Sequence, residues 1–240
     1  MKINSLVIIP AVLLAASSLV FNSCGNVENS AKAPVQTENK APAERSIMVN
    51  QPADLDSSTA VAKTMDNMQA CYKGEVTATA KYAAFAKRAE KDGFHNVALL
   101  YNAVSASENI HATNHKAVIT DAGKTVPAIK PEFTVKSTKE NLNTDINGES
   151  YEAKTMYPSF LKTAEIAGND IAYLSLNYAM KTEKKHKFFF EQALGDINTN
   201  TLNTLPHTYF VCPACGNTYT AAPKHCDFSL TDGETFIKFQ

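Results

Sequence analysis

Two Glu-x-x-His pairs, Glu108 with His111 and Glu183 with His186, are the residues of this sequence best placed to do chemistry. Three positions apart on a helix, a carboxylate and an imidazole share one face about one turn apart. Glu75 stands two turns before Tyr82, and Glu149 with Glu152 repeats the i, i+3 spacing. A Glu from each of two helices and Glu-x-x-His from each of two others build a carboxylate-bridged two-metal site inside a bundle. Hard carboxylates with few imidazoles suit iron or manganese. A lone Glu-x-x-His is commonplace on a solvated helix face. Here Ala103, Val104 and Ala106 precede the first pair, and Tyr178, Ala179 and Met180 precede the second. Carboxylates in such apolar company need neutralising partners.

A second constellation lies near the C-terminal end. Cys212-Pro213-Ala214-Cys215-Gly216 is a metal-knuckle signature, in which backbone amides after the turn point at the thiolates. Cys226-Asp227-Phe228-Ser229 follows, with a serine where a second Cys-x-x-Cys would close the set. The fourth ligand is open between the Ser229 oxygen, a water and His225. Three cysteines completed by a histidine commonly hold zinc. An iron with one oxygen ligand can still change oxidation state. A Cys212–Cys215 or related disulfide is the alternative in an oxidising compartment.

These residues need helices to position them, and an internal repeat supplies them. Tyr82, Phe85, Lys87, Ala89, Glu90, Gly93, Leu99, Asn102, Glu108 and His111 recur 75 positions later as Tyr157, Phe160, Lys162, Ala164, Glu165, Gly168, Leu174, Asn177, Glu183 and His186. The pattern is a duplicated two-helix hairpin, with Gly93 and Gly168 at the turns. Thr120 to Lys136 carries Gly123, Pro127 and Pro131 and reads as a crossover, and Ser137-Thr138-Lys139-Glu140 as a capping box. The spacing predicts helices over 57–91, 95–119, 138–167 and 169–195. The fold class is mainly α: a ferritin-like four-helix bundle over 57–200, with a small β/knuckle domain over 206–240.

The chain has 240 residues, 23 basic and 24 acidic, a formal net charge of -1 and five cysteines. That balance excludes a basic field for nucleic acid, so no nucleic-acid partner is expected. Leu6 to Phe21 is an apolar run broken by Pro10, shorter than the about 20 residues of a membrane-spanning helix and suited to a signal peptide. Ser23-Cys24-Gly25 looks like a bacterial lipobox. Residues 1–23 are then a lipoprotein leader, Cys24 the lipidated residue, and 24–56 a polar tether too poor in apolar side chains to fold. The expected location is the cell envelope, membrane-anchored and facing the periplasm. Cys71 reads as a small buried hydrophobe, whereas His95, His115, His207 and Lys184 to Lys187 read as solvated surface. Of Phe188, Phe189 and Phe190, one ring is left for a subunit contact.

The bundle residues resemble the rubrerythrin family over about 57–240. The likeness rests on Gly74-Glu75 with Tyr82, and on Ala106-Ser107-Glu108-Asn109-Ile110-His111. It extends to Gly148-Glu149-Ser150-Tyr151-Glu152 leading into Met156-Tyr157-Pro158, and to Glu183-Lys184-Lys185-His186. The resemblance implies that Glu75, Glu108, His111, Glu149, Glu152, Glu183 and His186 bind two bridged iron ions. It also implies that Tyr82 and Tyr157 hydrogen-bond the ligating carboxylates. The tail resembles a rubredoxin-like domain in which Cys212, Cys215 and Cys226 hold one further iron or zinc. The implied activity is reduction of hydrogen peroxide to water, with electrons passed through the tail from an unknown donor, in a homodimer whose tail serves a neighbouring bundle. The missing fourth cysteine favours an alternative: a ferroxidase or iron-handling lipoprotein with a structural tail.

Overall fold

The structure, a computed structural model, describes residues 56–240. The leader, Cys24 and nearly all of the tether lie outside these residues. Helix α1 (Ser57–Lys91) starts where the Asp56 carboxylate accepts the Thr59 backbone N–H at 2.9 Å, satisfying one of the free donors of the first turn. It stops at Gly93, whose φ of 82° is readily adopted only by a residue without Cβ. Helix α2 (His95–Asp121) returns alongside it. After the crossover, the capping box at Ser137 and Glu140 opens α3 (Thr138–Tyr151). The chain then passes through one π-helical turn (Glu152–Met156) into α4 (Tyr157–Ile166). Gly168, at φ 64°, turns it into α5 (Asp170–Thr199).

The π turn departs from the uninterrupted third helix expected over 138–167, and the repeat explains it. Gly74-Glu75 recurs as Gly148-Glu149, 74 positions on, whereas Tyr82 recurs as Tyr157, 75 positions on. One residue has been added between glutamate and tyrosine. A π turn absorbs one extra residue and keeps Glu149 and Tyr157 both on the inner face.

Two apolar blocks fill the bundle. One gathers Tyr82, Phe85, Leu100, Tyr101, Leu142 and Phe190, and the other Met68, Cys71, Ile119, Tyr157, Leu161 and Leu176. Along each long helix the metal-type residues fall between the two blocks, so a polar layer is sealed at both ends.

The tail is a three-stranded antiparallel sheet in the order β2-β1-β3, built from β1 (Tyr209–Val211), β2 (Thr218–Tyr219) and β3 (Ile237–Phe239). Tyr209 and Val211 are buried in the first apolar block, so bundle and tail share a core. In the single chain described, the tail rests on its own bundle. The connection is short and fixed: Asn96 Nδ2 donates to the Leu202 carbonyl at 3.0 Å, and Leu205 is buried. Among the described residues, no helix is long and apolar enough to cross a membrane.

Candidate metal centre

Six side chains from all four walls of the bundle converge in the polar layer. The ligand atoms of Glu75, Glu108, His111 and Glu183 lie within 4.8 Å of one another, and so do those of Glu108, Glu149, Glu183 and His186. The two sets share Glu108 and Glu183, which makes those carboxylates the natural bridges between two cations. All six residues are buried. Glu152 falls outside both sets. It is half-buried at the π turn and borders a cavity of ≈ 350 Å³ with Lys73, Gly74, Thr77, Ala78 and Lys81.

The histidines are oriented from two sides. His111 Nδ1 lies 2.8 Å from Glu108 and 3.3 Å from Glu183, and its Nε2 faces the Cys215 carbonyl at 3.2 Å. A carbonyl only accepts, so Nε2 carries a proton and Nδ1 is the nitrogen left to bind a metal. His186 follows the same plan. Its Nδ1 lies 2.9 Å from Glu183 and 3.1 Å from Glu108, and Nε2 lies 3.3 Å from Thr218 Oγ1. Both outer partners belong to the tail. Ser107 Oγ donates to the Gly216 carbonyl at 2.6 Å, and Asn114 Nδ2 to that of Ala214 at 2.9 Å, fixing the same loop.

The carboxylates are held by crossed tyrosines. Tyr82 donates to Glu149 and Tyr157 donates to Glu75, so each hairpin's tyrosine serves the other hairpin's glutamate. Burial and neighbouring negative charge push both phenols up, keeping their protons available for donation. Burial, then the charges of Glu108 and Glu183, raise Glu75 well above the usual carboxylate range, and burial followed by Glu183 does the same to Glu149. Burial opposes the Glu108 charge too, but His186 and His111 outweigh it and hold that carboxyl down. Glu152 is pushed up to about 8 by burial and by Glu183 and Glu108. Burial works against the His186 charge, yet Glu108 raises it to about 9.

This donor set fits a pair of cations. Buried Glu149 Oε2 has no hydrogen-bond partner among the described residues, and neither does Glu183 Oε1, which faces His111 without hydrogen-bond alignment. Stranded carboxylate oxygens cost about 1–3 kcal/mol each, more when charged. Cations bound between them remove that cost. In the tail, Cys212, Cys215 and Cys226 are free, buried thiols whose sulfurs also lie within 4.8 Å of one another, a set suited to iron or zinc.

His115 corrects the expectation of a solvated surface residue. It is fully buried, with Nδ1 2.8 Å from Ser175 Oγ and Nε2 3.4 Å from the Tyr157 hydroxyl. Four residues after His111, it lies one turn along the same inner face, a signal present in the spacing. Lys185 is likewise half-buried, its ammonium 4.1 Å from the Tyr219 ring centroid. His95, His207 and Lys184 are exposed as expected, and Cys71 is buried. Of the three phenylalanines, Phe188 is the outward one, 61 % exposed.

Fold and site together define a ferritin-like bundle with a carboxylate-bridged two-metal centre and a small thiolate-bearing tail. A family model described as rubrerythrin matches residues 66–194. Nigerythrin from Nitratidesulfovibrio vulgaris is 32% identical over 187 residues, spanning 77% of this chain and 90% of that protein. Rubrerythrin-2 from Clostridium acetobutylicum is 33% identical, spanning 65% of this chain and 85% of that one. The solved structure of nigerythrin in its fully reduced, all-ferrous state superposes with a TM-score of 0.66 at 30% identity, covering 73% of this chain and 86% of that one. The chain belongs to the rubrerythrin family, a family of non-haem di-iron oxidoreductases. Its tail is rubredoxin-like.

Proposed function

We propose that this protein is a peroxidase of the cell envelope, reducing hydrogen peroxide to water at a bridged di-iron centre. The carrying observation is the overlap of two buried ligand sets on Glu108 and Glu183. In this reading Glu108 and Glu183 would be shared by the two metals, Glu75 and His111 would complete one ligand set, and Glu149 and His186 the other. Glu152 joins from the cavity side. A bound iron pair supplies two electrons and Lewis acidity for O–O cleavage.

The protein's own part is to hold and exclude. Tyr82 and Tyr157 fix the carboxylates they bond, and the apolar blocks above and below keep bulk water from the layer. The cavity of ≈ 350 Å³ bordered by Glu152 is the entry route this reading assigns to peroxide. The tail is read as the electron inlet from an unidentified donor. Cys24 is read as the lipid anchor that places the chain on the periplasmic side, and exposed Phe188 as part of a homodimer contact.

The test is single-turnover oxidation of the reduced protein. Stoichiometric peroxide is expected to oxidise the iron much faster than air-saturated buffer does. Equal rates with peroxide and dioxygen sink the peroxidase reading and assign the centre to iron oxidation with a structural tail.

A further inference from the structure

The tail carries three cysteines, and its fourth corner is occupied by something other than sulfur. Two turns frame the thiols. In the first, Gly216 N–H donates to the Cys212 carbonyl at 2.9 Å, with Gly216 at φ 78°. In the second, Leu230 N–H donates to the Cys226 carbonyl at 3.0 Å, with Leu230 at φ 60°. The second loop therefore keeps the knuckle backbone although its second cysteine is gone. It does so with a leucine in the left-handed region, where L side chains are strained. Leu230 is 79% exposed, so its side chain brings little packing in return. The turn is maintained for what it presents, and it presents Ser229.

The distances agree. Ser229 Oγ lies 3.3 Å from Cys212 Sγ, and Cys215 Sγ lies 3.4 Å from Cys226 Sγ. A tetrahedral ion about 2.3 Å from sulfur and about 2.0 Å from oxygen has edges of about 3.8 Å between sulfurs and about 3.5 Å between sulfur and oxygen. The serine hydroxyl is itself oriented by Thr231 Oγ1 at 2.8 Å. The rival side chains lie outside the buried thiol cluster. His225 is exposed, its backbone held in a bridge with Asp232. Asp227 is exposed too, bonded by Asn217 Nδ2 at 2.7 Å and by the Tyr219 hydroxyl.

We propose that the Ser229 oxygen is the fourth ligand of a three-thiolate, one-oxygen metal site in the tail. A hard oxygen donor favours the higher charge on a bound iron. Such an iron is a stronger reductant than its four-thiolate counterpart. The inference rests on reading the tail as a metal site, and the two ideas fail separately in one experiment.

Cobalt(II) added to the full chain is the probe. The bundle's two ligand sets are carboxylates and imidazoles, with Cys71 outside both, so thiolate-to-cobalt charge-transfer absorption that persists in a Cys24→Ala, Cys71→Ala background reports the tail. Wild type is expected to show the bands of three thiolates with intense tetrahedral d–d absorption. Ser229→Cys is expected to raise the charge-transfer intensity by about a third, as a fourth thiolate joins the three. Ser229→Ala is expected to bind cobalt about tenfold or more weakly against a chelator. If wild type shows no charge-transfer band, the tail is not a metal site and both ideas fall. If the band is present but Ser229→Ala binds cobalt as tightly as wild type with the same d–d envelope, a water is the ligand and only the serine assignment is overturned. A Ser229→Cys spectrum still showing three thiolates overturns it as well, and does not depend on the alanine variant folding.

Discussion

In the bundle, every bridging glutamate, histidine and tyrosine of one hairpin has its counterpart in the other, while the residues around them differ. Tyr82 sits among rings, 5.4 Å from Phe190 and 5.8 Å from Tyr101 between centroids. Tyr157 sits beside His115 and Ser175, which the 75-residue repeat aligns with Phe190 and Leu100. The tail reverses this. Its two turns share a backbone, down to a left-handed residue at the same place, and differ in the ligand they carry, Cys215 against Ser229. A two-metal layer needs all its carboxylates to balance buried charge, so duplication there leaves only the surroundings free to vary. A tetrahedral site fixed by backbone turns admits a different donor atom, provided the turn survives.

The comparison is broken most completely by Glu183→Ala, which removes a carboxylate common to both bundle sets. Metal analysis is expected to show two ions lost per chain, with the thiolate site still loaded. Loss of a single ion sinks the bridging assignment. Gly216→Ala attacks the junction of the two regions. A Cβ there meets His111 Nε2 at 2.6 Å, and φ is 78°, so strain and overpacking together are expected to cost about 2–4 kcal/mol in urea unfolding.

His115→Phe gives Tyr157 the ring neighbour that Tyr82 has in Phe190, and pH reads the result. Burial, then the charge on His111, lower His115 to about 3. The unfolded histidine takes up its proton near 6.5, whereas the folded one does not until about pH 3. Its contribution is therefore complete above pH 6.5 and is lost as pH falls from 6.5 to 3. The groups facing it are His111 on its own helix, Glu75, Tyr157, Ser175 and, at longer range, Glu183. In chelator-treated protein, the variant is expected to lose less stability than wild type between pH 7 and pH 4.5. Parallel curves contradict this. The smallest effect belongs to Leu230→Gly, which makes the second turn like the first. Relief of the left-handed backbone, partly offset by a more flexible unfolded chain, is expected to stabilise the tail by about 0.5–1 kcal/mol in thermal unfolding.

Much of this architecture is readable from the chain alone. Gly93, Gly168 and the Ser137 capping box set the helix ends to within a few residues, because each acts locally. The layer's residues are readable because the repeat presents them twice. The π turn escaped the 75-residue count, although the 74-residue step from Gly74-Glu75 to Gly148-Glu149 carries its trace. His115 escaped because an isolated histidine in a helix looks polar until its phase is taken from His111. The docking of the tail has no such signature. It uses the carbonyls of Ala214, Cys215 and Gly216, and every residue has a carbonyl.

The tail's contacts to the two imidazoles come late in the chain. The helices can gather their carboxylates as soon as α5 is made, but the imidazoles receive their outer acceptors only from residues 215 and 218, later in the chain. Until that loop settles, each ring can flip and offer either nitrogen to a metal. The bundle is thus a vessel whose stopper is synthesised after it.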